Sequence, residues 1–290
     1  MSTKRSERKR RIRSLFSKYV IFFAVVEMIS LTVFGGVLGY FLVGSWEDDQ
    51  KTRLYEYSAN IADSYEMLLN SENSNDKDSY SGLCYSLTSV TIKEGVTKIT
   101  AEMFKDCVAL TTIQLPSTID TIQESAFRGC TLLSSITIPN KVSKIPSYAF
   151  AECSNLKNFA LGSGVTEIGE YAFYKCNALE NITISGNVSK ICSYAFASCS
   201  GLKNFVINAN VTEIGNYAFD ECKALESVTI AEGCTQLGEY VFSDCSALKT
   251  VTLPNTLKAI PRYAFRNCAK LETIEIPEGV TKIGEKAFHN

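Results

Sequence analysis

Apolar and polar positions over residues 84–290 follow one unit that repeats every 23 residues, with no insertion or deletion. Cysteine keeps the step from Cys84 through Cys107 and Cys130 to Cys268, and phenylalanine keeps it from Phe104 through Phe127 to Phe288. A fixed period of this size marks a stacked array in which equivalent positions become neighbours. Each unit reads C-x-x-L-x-x-I-x-I/L, a turn, V-x-x-I, then A-F and the next cysteine. In "TTIQLP" and "SSITIP" the apolar residues alternate, which predicts a short strand with one buried face. Pro116, Pro139, Pro254 and Pro277 end that strand, where a missing N–H does least harm. Gly169, Gly215, Gly238 and Gly284 mark a later turn, and the following "EYAF" or "NYAF" predicts a short helix ending near the cysteine. The expectation is a right-handed α/β solenoid of nine 23-residue units with a short parallel sheet along one side.

Stacking at ~4.8 Å per strand turns repeat positions into ladders. Lys157, Glu180, Lys203, Glu226, Lys249 and Glu272 alternate in sign, as do Lys144, Glu167, Lys190 and Glu213. Such pairs contribute little stability individually but penalise register errors, in which like charges would meet. Tyr148, Tyr171, Tyr194, Tyr217, Tyr240 and Tyr263 form an aromatic ladder that either offers a docking stripe or stacks on itself over the helical turns. On the strand face, Thr183 and Thr229, with Asn158, Asn181 and Asn204, belong to a hydroxyl- and amide-rich stripe. That stripe is either an adaptable binding face or an ordinary solvated sheet face.

The recurring "I..YAF..C..L..I.I" pattern resembles the leucine-rich repeats of bacterial BspA-like surface proteins, over residues 84–290. The resemblance implies a leucine-rich repeat solenoid on a cell-surface protein that binds host or neighbouring-cell proteins in adhesion. It implies no catalytic residues.

Residues 1–18 form a basic head with eight Lys/Arg against Glu7. Residues 19–44 are apolar except for Glu27 and small hydroxyl residues, long enough for one transmembrane helix. The basic flank precedes the run and Glu47, Asp48 and Asp49 follow it, which predicts a cytoplasmic N-terminus and an extracytoplasmic array. A cleaved signal peptide is the rival reading, but the run is too long for one. Glu27 is costly at mid-membrane unless it protonates, reaches the interface or faces a partner helix. Gly35-x-x-x-Gly39 suits close helix approach in a dimer. Residues 45–82 read as a helical stalk and a polar linker leading to the array at 83–290. Head, span and stalk together resemble the membrane input region of bacterial sensor kinases, but no kinase core follows.

Composition narrows the chemistry. Beyond the basic head the chain is net acidic, which argues against nucleic acid. His289 is the only histidine and no CxxC pair exists, so zinc sites and histidine-based catalysis have little to use. We therefore expect no cofactor and no enzymatic activity. Ladder cysteines on adjacent rungs come within disulfide range, yet stacked side chains point in parallel, so buried thiols are expected. Cys234 takes a buried apolar position, and Cys192, at the Gly/Pro turn position, is the candidate exposed thiol. The repeat stops without a polar cap, which suggests a chain cut short or an open end that stacks on a partner. The expectation is a single-pass membrane protein displaying a leucine-rich repeat array that binds a protein or glycan ligand in adhesion. The alternative is a sensory input subunit dimerising through Gly35 and Gly39. A homo-oligomer would form through the membrane helix or the open last rung.

Overall fold

The computed structural model describes Cys84, residues 87–184 and residues 186–290. The basic head, the apolar run 19–44 with Glu27, Gly35 and Gly39, and the stalk and linker lie outside the described residues. No helix among the described residues is long and apolar enough to cross a membrane.

The repeats wind about eight turns of parallel β-solenoid, since nine copies of the motif bound eight steps of 23 residues. The expected strand of each turn forms one series: β1 (Ser89–Thr91), β3 (Thr112–Gln114), β5 (Ser135–Thr137), β7 (Asn158–Ala160), β10 (Asn204–Ile207), β12 (Ser227–Ile230) and β14 (Thr250–Thr252). Neighbours pair in parallel one repeat apart, as Ser89 with Thr112 and Phe205 with Val228. The series is interrupted at residues 181–184, which form no strand, leaving sheets β1-β3-β5-β7 and β10-β12-β14.

A second series of two-residue strands occupies the V-x-x-I segment, to which the sequence pattern assigns no element. It runs from the pair β2 (Lys98–Ile99) and β4 (Thr121–Ile122), through β6 (Lys144–Ile145), β8 (Glu167–Ile168), β9 (Lys190–Ile191), β11 (Glu213–Ile214) and β13 (Gln236–Leu237) in one sheet, to the pair β15 (Ala259–Ile260) and β16 (Lys282–Ile283). In β6 and β8 the isoleucine is buried while the preceding Lys or Glu faces outward. Lys144 and Glu167 therefore pair at 2.8 Å, and Lys190 and Glu213 at 3.0 Å. The strand-side ladder pairs likewise, with Lys203–Glu180 at 2.8 Å and Lys249–Glu226 at 2.7 Å.

The expected helix is absent: from Leu87 onward the described residues contain none, and the "YAF" segment is a run of turns. Its N–H groups alternate in direction. Those of Tyr148, Phe150 and Glu152 donate to Glu170, Ala172 and Tyr174 of the next rung at 2.9, 2.8 and 2.6 Å. Those of Ala149, Ala151 and Cys153 donate back to Pro146, Tyr148 and Phe150 within the rung, each at 3.2 Å. A helix would direct all of them inward along its own axis. Tyr148 and Glu152 adopt positive φ of 56° and 65°, which breaks any helix. That conformation costs about 1–2 kcal/mol for a non-glycine residue, and the rung-to-rung hydrogen bond offsets it. At Gly238, an added Cβ would overlap the backbone of Asn216, so glycine there permits the close approach of rungs.

The interior is built from stacked phenylalanines. Phe150 and Phe173 have ring centroids 5.6 Å apart, and Phe173 and Phe196 5.1 Å, all fully buried. Cys84 and Cys107 are joined by a disulfide, correcting the expectation of an all-thiol ladder, because rung stacking brings their Cα atoms to 4.2 Å. The other nine cysteines are free and buried. Among them is Cys192, expected to be exposed, which lies below the surface with its thiol donating to Glu167 Oε1 at 3.3 Å. Cys234 is fully buried as expected. The last turn exposes apolar groups whose counterparts one rung earlier are covered: Ile283 is 53% exposed and Ile260 1%.

Candidate binding surface

Alternation within the first strand series sends one side chain to the core and its neighbours outward. In β7, Phe159 is buried between exposed Asn158 and Ala160. Parallel pairing then aligns the outward residues of successive turns into the stripe that the sequence suggested. Over β3, β5, β7 and the uncoiled segment 181–184 this stripe floors a groove of ≈ 1080 Å³. Gln114, Thr137, Asn158, Asn181 and Thr183 project from its floor, all exposed. None of these five side chains is hydrogen-bonded to the rest of the described protein. Lys141, Lys157 and Glu180 stand on its walls.

The proposed surface residues thus divide into three groups. Asn158, Asn181 and Thr183 share the groove. Asn204 and Thr229 are outward residues of β10 and β12 and do not line it. The Asn204 amide oxygen accepts a hydrogen bond from the Ser227 hydroxyl at 2.6 Å, so it is already engaged. The six tyrosines lie on the turns, and none lines the groove. Lys141 escaped the sequence reading because the charge ladders of the repeat skip its position.

The tyrosine ladder is a continuous stack. Tyr171 and Tyr194 rings lie 4.5 Å apart at an interplanar angle of 5°, and Tyr194 and Tyr217 4.6 Å apart at 5°. Cations flank both ends, with the Arg128 guanidinium 5.5 Å from the Tyr148 ring centroid and that of Arg262 4.8 Å from Tyr263. Ring faces are therefore used within the stack. Burial, together with the phenols of Tyr171 and Tyr217, pushes the Tyr194 hydroxyl up to about 12.

Ion pairing holds the wall carboxylate in its charged form. The hydrogen bond from Lys203 lowers the Glu180 pKa, with the charges of Lys203 and Lys157 adding to it. Among the described residues no group of His, Cys, Asp or Glu is arranged to hold a metal ion.

A family model for the BspA-type leucine-rich repeat region, in six copies, matches residues 75–203 and 166–290. The chain is similar to the crystal structure of a leucine-rich repeat protein from Bacteroides ovatus, with 27% identity and a TM-score of 0.50 over 71% of this chain and 64% of that one. It is also similar to a leucine-rich cell surface protein from Faecalibacterium prausnitzii, with 29% identity and a TM-score of 0.46 over 71% and 65% of the two chains. A leucine-rich repeat protein from T. pallidum shows 25% identity and a TM-score of 0.46 over 63% and 77%. The chain thus spans slightly less than two thirds of the Bacteroides and Faecalibacterium proteins. No curated protein matches it. Because the family match spans most of the chain and falls on the residues that wind the solenoid, the chain belongs to the BspA-type leucine-rich repeat family.

Proposed function

We propose that this protein is a non-enzymatic cell-surface binding protein that recognises a protein or glycan partner through its strand face, in adhesion. The groove carries this reading: five outward polar side chains on one floor make no hydrogen bond within the described protein, so their bonding capacity is open to a ligand. The apolar run 19–44 with its basic flank supports a single-pass anchor with the array outside the cell. Binding of the full chain, reconstituted in liposomes, to immobilised cell-wall and host-cell fractions tests the reading. Asn158→Ala with Asn181→Ala should weaken capture severalfold, and capture indifferent to those substitutions overturns it.

Glu27 supports a second reading, a sensory subunit dimerising through Gly35 and Gly39, because a carboxylate within an apolar run is costly without a function. Glu27→Leu or Gly39→Leu would then change signalling output and leave capture unchanged.

A further inference from the structure

The groove has a chemical character that the rest of the strand face lacks. Lys141 and Lys157 stand on its walls, exposed, and neither forms an ion pair within the described residues. The third wall charge, Glu180, is engaged by Lys203 at 2.8 Å. Lys157 shares the field of Glu180 without a direct ion pair and Lys141 has no partner among the described residues, so the walls carry two ammonium groups against one carboxylate, itself already bonded to Lys203, above a neutral floor. In the charge ladders Lys144, Lys190 and Lys249 each hold a glutamate at 3.0 Å or less, whereas the groove brings two lysines without an ion pair to one site.

The floor selects among anionic partners. Protein interfaces take most of their affinity from large apolar or aromatic anchors seated in pockets. No large exposed hydrophobic residue lines this groove; those of the described residues, such as Leu132 and Val206, lie outside it. Phe159 is its one aromatic liner and is only 8% exposed. What the floor offers is three carboxamides and two hydroxyls, each able to donate and to accept. Paired donor and acceptor capacity of this kind matches the adjacent hydroxyls of a sugar ring. Rungs follow one another about 4.8 Å apart, so an extended polymer lying along the solenoid axis meets polar groups at successive steps, in one column Gln114, Thr137 and Thr183 with Ala160 between, and in the other Ser135, Asn158 and Asn181.

We infer that the groove binds an anionic polysaccharide, with Gln114, Thr137, Asn158, Asn181 and Thr183 holding sugar hydroxyls and Lys141 and Lys157 pairing with its carboxylate or sulfate groups. This rests on the cell-surface binding reading above and names its ligand class.

The test uses the full chain in detergent with three probes: polygalacturonate, neutral dextran and poly-glutamate. Polygalacturonate should bind, weaken as salt rises, and lose about tenfold in affinity in Lys141→Gln/Lys157→Gln, the scale of a lost charged contact. Lys258→Gln/Lys282→Gln, which removes two lysines that do not line the groove, should leave binding unchanged and controls for net charge. Asn158→Ala/Asn181→Ala should weaken polygalacturonate without altering its salt dependence. Dextran binding as tightly as polygalacturonate overturns the charge assignment. Poly-glutamate binding as tightly through the same lysines overturns the glycan assignment. Polygalacturonate binding that survives both double substitutions removes the groove as the site. If no probe binds while the chain still captures cell-surface fractions, this inference fails and the adhesion reading stands; if capture is also absent, both fail.

Discussion

The thiol of Cys176 donates to the carbonyl oxygen of Phe150 at 3.1 Å, one rung and three residues away. The same carbonyl already accepts the Cys153 N–H at 3.2 Å, so both of its lone pairs are used inside the core. The thiol bond recurs from Cys130 on Phe104 to Cys268 on Phe242, at 3.0–3.2 Å. Cysteine here is at once a small apolar filler and the donor that ties one turn to the next. Cys176→Ala should therefore destabilise the solenoid by about 1–2 kcal/mol, combining a small void with an orphaned lone pair. Urea denaturation followed by far-ultraviolet circular dichroism measures it, and an unchanged midpoint would show that the thiol bond contributes nothing.

The same geometry makes the thiols unreactive. Burial raises the Cys176 pKa well above that of a free thiol, with the charge of Cys199 adding to it. Nine cysteines are free and buried while Cys84 and Cys107 are joined. Maleimide should label almost nothing in the native chain at neutral pH and nine cysteines after denaturation without reductant. Labelling of all eleven under those conditions would show that the Cys84–Cys107 bond does not form in solution.

Much of this architecture is legible in the sequence, because a strict period leaves few ways to stack equivalent residues. The phenylalanine stack, the Lys–Glu pairs and the first strand series all follow from positions 23 apart. The helix expected at "YAF" does not form, and the reason lies in bonds between turns. A local pattern gives no sign that Tyr148 N–H reaches Glu170 of the next rung, or that φ turns positive there. The groove was half visible: the Asn and Thr stripe is periodic, but Lys141 belongs to no ladder. Its contribution arises only when β5, β7 and segment 181–184 lie side by side.

Positive φ at the tyrosine ladder sets up an inverted substitution series. Tyr217 has φ of 57° and stacks between Tyr194 at 4.6 Å and Tyr240 at 4.5 Å. Both Tyr217→Ala and Tyr217→Gly lose the ring contacts, at about 0.5–1.5 kcal/mol per aromatic pair. Glycine, however, relieves a backbone conformation that alanine must still adopt. Tyr217→Gly should thus be more stable than Tyr217→Ala by about 1 kcal/mol, the reverse of the order inside helices or strands. Thermal melts of the two variants decide it, and alanine as the more stable variant would mean that the turn relaxes once the ring is removed.

Asp220 provides a pH signature with a definite sign. Burial first of all, with the nearby charges of Asp244 and Glu221, pushes its carboxyl up to about 6, against the opposing hydrogen bond from Ser243 and the charge of Arg266. An unfolded aspartate titrates near 3.9, so between about pH 4 and 6 the folded chain holds a proton that the unfolded chain has released. This group's contribution is therefore most favourable below pH 4, declines as pH rises through about 6, and is lost at neutral pH. Glu167 acts in the opposite sense, since the hydrogen bond from Lys144 lowers its pKa, so the whole-protein pH profile mixes both. The comparison with Asp220→Asn isolates the site. The variant should be more stable than the parent by about 1–2 kcal/mol at pH 7.5, after discounting for partial solvent exposure, and nearly equal to it at pH 4. A constant difference across that range, measured by denaturation at each pH, would mean that Asp220 titrates as an ordinary surface carboxylate.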